Sequence, residues 1–280
     1  MTATQSGGGR RRRRLRIGLR GVRARVPTPT HGESDSEVLG LVSDPYTAVG
    51  ETHERLRALL SAFEERADRR AVFLSIYARM TGAVARRVQR GEFADPDWVS
   101  AYLVAFANRY RVAVRDYETG AFDSLATPWL LAFEAAQGGE SLVVQDAALG
   151  VNAHINYDLA LALDDVGVGP NREGRYRDHC TVIDVIADLV DETQRSLASR
   201  EAAGLATLDA ALGRLDERLT VFAIDECRES AWRTAVALDS RCRLRRRFAR
   251  WINDATATGA AHIIRSAGSD DTFGGAFATL

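Results

Sequence analysis

Four polar side chains interrupt the otherwise aliphatic run GVNAHINYDLALAL at residues 150–163: Asn152, His154, Asn156 and Asp158. If the run is buried, each must be hydrogen-bonded, ion-paired or metal-bound, because an unsatisfied buried polar group costs roughly 1–3 kcal/mol. At helical spacing His154 and Asp158 fall one turn apart on one face, and Asn152 and Asn156 share roughly the opposite face. A His and an Asp at i and i+4 can hold a divalent metal together, and the metal would activate a water for hydrolysis with His154 and Asp158 as its catalytic ligands. The same two side chains can instead pair with each other. Asn152 and Asn156 then bind neighbouring backbone, and all four form a packing network.

A metal needs further ligands from other helices. His179 lines up with Val182, Ile186, Val190, Thr193 and Leu197, so it opens a core-facing stripe and is the candidate third metal ligand, with Asp178 at its rim. Glu229 shares a face with Phe222, Trp232 and Val236 and is followed by Arg233 at i+4. It reads either as one rung of an acid-to-arginine ladder or as a binding residue opposite His154. His53 and His262 stand alone and are expected at the surface.

Several chemistries are excluded by what is missing. All 37 basic residues are arginine. Without lysine there is neither a Walker phosphate loop nor a Schiff-base amine. H-E-x-x-H, E-x-x-H and G-x-S-x-G are absent, which removes the common zinc-protease, di-iron and hydrolase-elbow sites. GVGPNREG lacks the glycine spacing of a dinucleotide fold. The three cysteines, Cys180, Cys227 and Cys242, form no close pair and read as reduced, partly buried thiols of a cytoplasmic protein.

Charge divides the chain. Nine arginines and no carboxylate lie in residues 1–30; taking nine from 37 leaves 28 arginines against 38 carboxylates, a charge of −10 over residues 31–280. An acidic body disfavours nucleic acid as a partner except through the tail. The tail lacks the apolar core of a signal peptide, and like charges that repel do not fold, so residues 1–40 read as a disordered basic tail. No run is apolar and long enough to span a membrane.

Helix signals dominate the remainder. Asp44-Pro45, Asp95-Pro96 and Thr127-Pro128 each read as a capping residue followed by a proline at the first helical position. Val99, Leu103, Phe106, Tyr110, Val114 and Tyr117 form one stripe, and Phe73, Ile76, Tyr77, Met80, Val84 and Val88 another. Gly91 and Gly138-Gly139 are placed as helix stops. Residues 140–164 form the most apolar helix, 167–175 read as a loop, and further helices break near Gly204, Gly213 and Gly259. The expectation is an all-α chain: one multi-helix bundle over 41–268 around a buried central helix at about 140–164, with a frayed end at 269–280.

The string LGVNAHINYDLALAL, with DRRAVFLSIYARMT at 68–81, FADPDWVSAYLVAFANRY at 93–110 and PWLLAFEAA at 128–136, resembles a bacterial and archaeal family known as domain of unknown function 5995, over roughly residues 45–190. NAHIN-x-DL is the most specific part. The resemblance implies the extent of the domain and points to Asn152, His154, Asn156 and Asp158 without naming a reaction. The expected function is a metal- or cofactor-dependent helical enzyme, a hydrolase using a divalent metal on the His/Asp pair. The alternative is a non-catalytic helical scaffold or small-molecule-binding protein in which the set is a hydrogen-bond network. An open position beside His154 separates the two.

Overall fold

The computed structural model describes residue 29 and residues 34–169, 171–182, 185 and 217–266, apart from the side chains at 144 and 217–225. Among these residues every regular element is helical: α1 (Ser36–Val42), α2 (Val49–Glu65), α3 (Arg70–Gln89), α4 (Pro96–Glu118), α5 (Thr127–Gly138), α6 (Val143–Val151), a π-helical segment (Asn152–Asp158) and α7 (Leu159–Val166). A helical stretch at 172–182, then α8 (Glu217–Leu238) and α9 (Arg243–Ser266), complete the fold.

α6, the π segment and α7 run on as one rod, and this rod is the centre of the molecule. α3, α4, α5, α8 and α9 all pack against it. Leu149, Ala153, Leu159, Ala160, Ala162 and Leu163 are buried around its circumference, as the nearly unbroken apolar sequence requires. The rod begins at Val143 rather than at 140, where the Gln145 side chain accepts from the Leu142 N–H at 2.8 Å. Its middle is π-helical, with the Leu159 N–H bonded to the His154 carbonyl five residues back.

α4 follows its sequence signals closely. Asp95 accepts from the Trp98 N–H at 3.0 Å ahead of Pro96. The stripe from Val99 to Tyr117 is buried throughout. Gly91 and Gly139 adopt φ of +71° and +69°, the left-handed conformation that ends α3 and α5.

Five expectations are corrected. Asp44-Pro45 starts no helix: α2 begins at Val49, and the Glu51 carboxylate accepts from the Thr47 N–H and hydroxyl instead. The stretch assigned to the tail contains α1, whose Val38 and Val42 belong to the core, so only residues before it can be tail. Residues 172–175 are helical rather than loop. Gly259 is buried inside α9 and breaks nothing. Cys242 is exposed, while Cys180 and Cys227 are half-buried. The expected tail at 1–30, the frayed end at 269–280, Gly204, Gly213 and the stripe positions Ile186, Val190, Thr193 and Leu197 lie outside the described residues. No helix among the described residues is long and apolar enough to cross a membrane.

Candidate functional site

The π segment carries all four polar residues; His154 meets Asp158, one of the two arrangements their spacing allows, while Asn156 bonds to Asn152 rather than to a neighbouring backbone. His154 Nδ1 lies 3.0 Å from Asp158 Oδ2, and Asn156 Nδ2 donates to Asn152 Oδ1 at 2.9 Å. Neighbouring helices complete each pair. From α5 the Trp129 indole N–H donates to the same Asp158 oxygen at 2.8 Å. Asn152 Nδ2 donates to the Ala257 carbonyl of α9 at 2.9 Å, and Asn253 of α9 returns a bond to the Tyr157 carbonyl at 2.9 Å. The rod is therefore bolted to α5 on one side and to α9 on the other.

A carboxylate can only accept, so His154 presents Nδ1–H to Asp158, and the neutral ring leaves a lone pair on Nε2. That nitrogen is buried and has no hydrogen-bond partner among the described residues. Aromatic rings enclose it. The imidazole lies flat on Phe106, with centroids 3.6 Å apart and planes 10° from parallel, and meets the edge of Tyr77 at 4.3 Å. Phe73, Trp129 and Tyr110 close the cage at 5.6–6.1 Å. His154 is 1% exposed. Burial holds its pKa below the usual histidine range, and the Asp158 hydrogen bond and charge oppose that only in part.

Gly150, one turn before His154, makes the cage possible. A Cβ there would sit 2.4 Å from Phe73 Cγ, so only glycine lets Phe73 lie against the rod. Beyond Tyr77 and Phe106 is a cavity of about 30 Å³, space for one or two waters, bounded also by Tyr102, Ile155, Leu159 and Arg228. Its surface is almost wholly apolar, and His154 is not part of its lining.

His179 belongs to a second cluster. Its Nε2 faces the Arg228 carbonyl at 3.3 Å, which can only accept, so Nδ1 is left to accept from the Tyr102 hydroxyl at 3.2 Å. Arg228 donates in turn to the His179 carbonyl. Trp232 stacks on the imidazole at 5.4 Å. Burial, then the Arg228 charge, hold the His179 pKa well below the usual range. Asp178 holds the chain just ahead of α4, its two oxygens accepting from the Ala94 and Asp95 N–H groups at 2.8 Å. Glu229 accepts from the Tyr176 hydroxyl at 2.6 Å and from Arg233 at 2.8 Å, the acid-to-arginine pairing of the ladder.

The expected ligand set is thus divided. His154 Nδ1–H and the Trp129 indole N–H both donate to Asp158 Oδ2, His179 is engaged with Tyr102 and Arg228, and no three His, Cys, Asp or Glu side chains converge among the described residues. These residues do not fit a metal ion. His53 and His262 are half-buried rather than at the surface, and burial lowers the pKa of each.

The family model described as Family of unknown function (DUF5995) matches residues 49–267. The chain belongs to that family. No curated protein and no solved structure matches it. The DUF5995 match runs well past residue 190, where the sequence resemblance stops, and takes in α8 and α9. That extent agrees with the hydrogen bonds: Asn253 and Ala257, which hold the NAHIN-x-DL segment, are part of the DUF5995 domain. Trp129, Asn253, Gly150 and the ring cage were not foreseen as site residues. Phe106 showed only as a member of an apolar stripe and Trp129 only within PWLLAFEAA, and no sequence spacing pairs either with residue 154.

Proposed function

We propose that this DUF5995 domain is a non-catalytic helical scaffold in which Asn152, His154, Asn156 and Asp158 are a packing network. The enclosure of His154 carries the reading. A metal-activated water needs an open coordination position, and a general base needs a substrate within about 3 Å of its free nitrogen. His154 Nε2 meets ring walls instead, while the other members of the set bond to backbone, to Trp129 or to each other. The metal-dependent hydrolase would need ligands from residues outside those described. The three cysteines, none of them in a disulfide, fit a reducing cytoplasm.

A second reading, a small-molecule-binding protein, has the lone pair on Nε2 and the neighbouring cavity in its favour. A small molecule bearing an O–H or N–H, admitted past Tyr77 and Phe106, would supply the missing donor.

Elemental analysis of the purified full chain beside His154→Ala, with circular dichroism on both, tests the scaffold. The expected result is a metal-free wild type that takes up no added zinc or manganese, and a variant that is less stable by about 3 kcal/mol because Asp158 loses a partner and Phe106 its stacked ring. Near-stoichiometric metal in the wild type, lost from a still-helical variant, would overturn it. Stabilisation of the wild type by added phenol, abolished when Ile155→Phe fills the cavity, would favour the second reading.

A further inference from the structure

The start of α9 carries no buried side chain. Residues 241–248 are all exposed, and burial against the bundle begins only at Ala249 and Asn253. Within this projecting segment Leu244, Phe248 and Trp251 are 77%, 62% and 49% exposed. Their i, i+4, i+7 spacing puts them on one stripe, and the Phe248 and Trp251 rings lie 5.7 Å apart. Single exposed apolar residues are ordinary, whereas three large ones aligned on one helix face mark a contact surface.

Arginines flank the stripe on both sides. Between Asp239 and Asp254 the chain has six arginines, at 241, 243, 245, 246, 247 and 250, and no carboxylate. Arg243, Arg245, Arg246 and Arg247 make no ion pair among the described residues, and Arg250 reaches Asp164 only at 3.4 Å. Unpaired cations bordering an apolar ridge, on a body with a charge of −10 over residues 31–280, call for an anionic partner with an apolar interior.

We propose that this face of α9 docks on an anionic phospholipid bilayer. Leu244, Phe248 and Trp251 enter the boundary between headgroups and acyl chains, and the flanking guanidiniums bind lipid phosphates. The acidic remainder of the body is repelled by the same surface, which orients the domain with α9 down. Nucleic acid shares the phosphate but suits the ridge less, because Leu244, its most exposed member, has no ring on which a base could stack.

Flotation of the full chain with vesicles of equal parts phosphatidylglycerol and phosphatidylcholine tests this. Binding is expected there and not to pure phosphatidylcholine, with a blue shift from Trp251, since Trp98, Trp129 and Trp232 are buried. The double variant Phe248→Ala/Trp251→Ala should weaken binding more than about tenfold, and each of Arg243→Gln, Arg245→Gln and Arg247→Gln about fivefold. These side chains are exposed, so thermal unfolding should not change. Equal binding to both vesicles overturns the proposal. So does binding indifferent to Phe248→Ala/Trp251→Ala, which would assign the attraction to the arginines of residues 1–30. Binding of oligo(dT) through the same arginines, without vesicle binding, would make the face a nucleic-acid surface instead.

Discussion

A neutral imidazole inside a cage of rings has a consequence in acid. His154 and His179 are both held below the usual histidine range, chiefly by burial, and half-buried His53 and His262 shift the same way. In the unfolded chain these rings protonate near pH 6.5, whereas in the folded chain they resist, so below about pH 6.5 the unfolded state binds more protons. Stability is therefore intact above that pH and falls as pH drops through it. Thermal melts followed by circular dichroism should show a nearly constant Tm down to about pH 7 and a decline below about 6.5, shallower in His179→Gln. A wild-type Tm that stays level to about pH 5 would contradict this. The His154–Asp158 pair was legible in the sequence, because i, i+4 spacing alone brings the two together, and so was the shared face of Asn152 and Asn156, though not the bond between them. What lies opposite was not: the Trp129 indole and the Asn253 amide come from 29 and 96 residues away in the chain, beyond anything a local period can encode.

Elements are where sequence signals were strongest and also where they misled. Asp95-Pro96 and Gly91 were legible because cap and stop act within a few residues, whereas Asp44-Pro45 carries the same letters in a loop that Arg55 and Asn108 hold from outside. The π segment left no trace in the residue pattern, since its i, i+4 pairs look the same as those of an α-helix. Gly150 and Gly40 separate packing from propensity in this fold. A Cβ at Gly150 collides with Phe73, while at Gly40 of α1 it meets nothing within 4 Å. Gly150→Ala should cost about 1–3 kcal/mol by overpacking, despite alanine's better helix propensity. Gly40→Ala should gain up to about 1 kcal/mol. Denaturant titration of the two variants checks both signs, and a stabilising Gly150→Ala would show that Phe73 can move aside.

Across the whole molecule, one buried ionic cluster joins the start of the domain to its body. Arg70 donates to Glu118 at 2.6 Å and to Asp68 at 2.6 and 2.9 Å, with its guanidinium 4.4 Å from the Phe63 ring centre, and Glu118 accepts from the Asp35 N–H that precedes α1. Arg70→Met alone should cost about 3–5 kcal/mol, because it strands Glu118 without its cation, and Arg70→Met/Glu118→Leu should recover much of that loss. Chemical denaturation of the single and double variants measures the coupling, and a double variant no better than the single would refute it. The charge balance predicted none of this: composition counts arginines without showing that one of them is enclosed. The self-contained pairing on the rod has a different reach, over generations rather than within one folding event. His154 without Asp158 has no bond at either ring nitrogen, and Asp158 without His154 keeps only the Trp129 donor, so a change at either position unsettles the other. Because both partners of each pair lie within seven consecutive residues, recombination rarely separates them, and descent can carry the motif intact whether or not it ever meets a substrate.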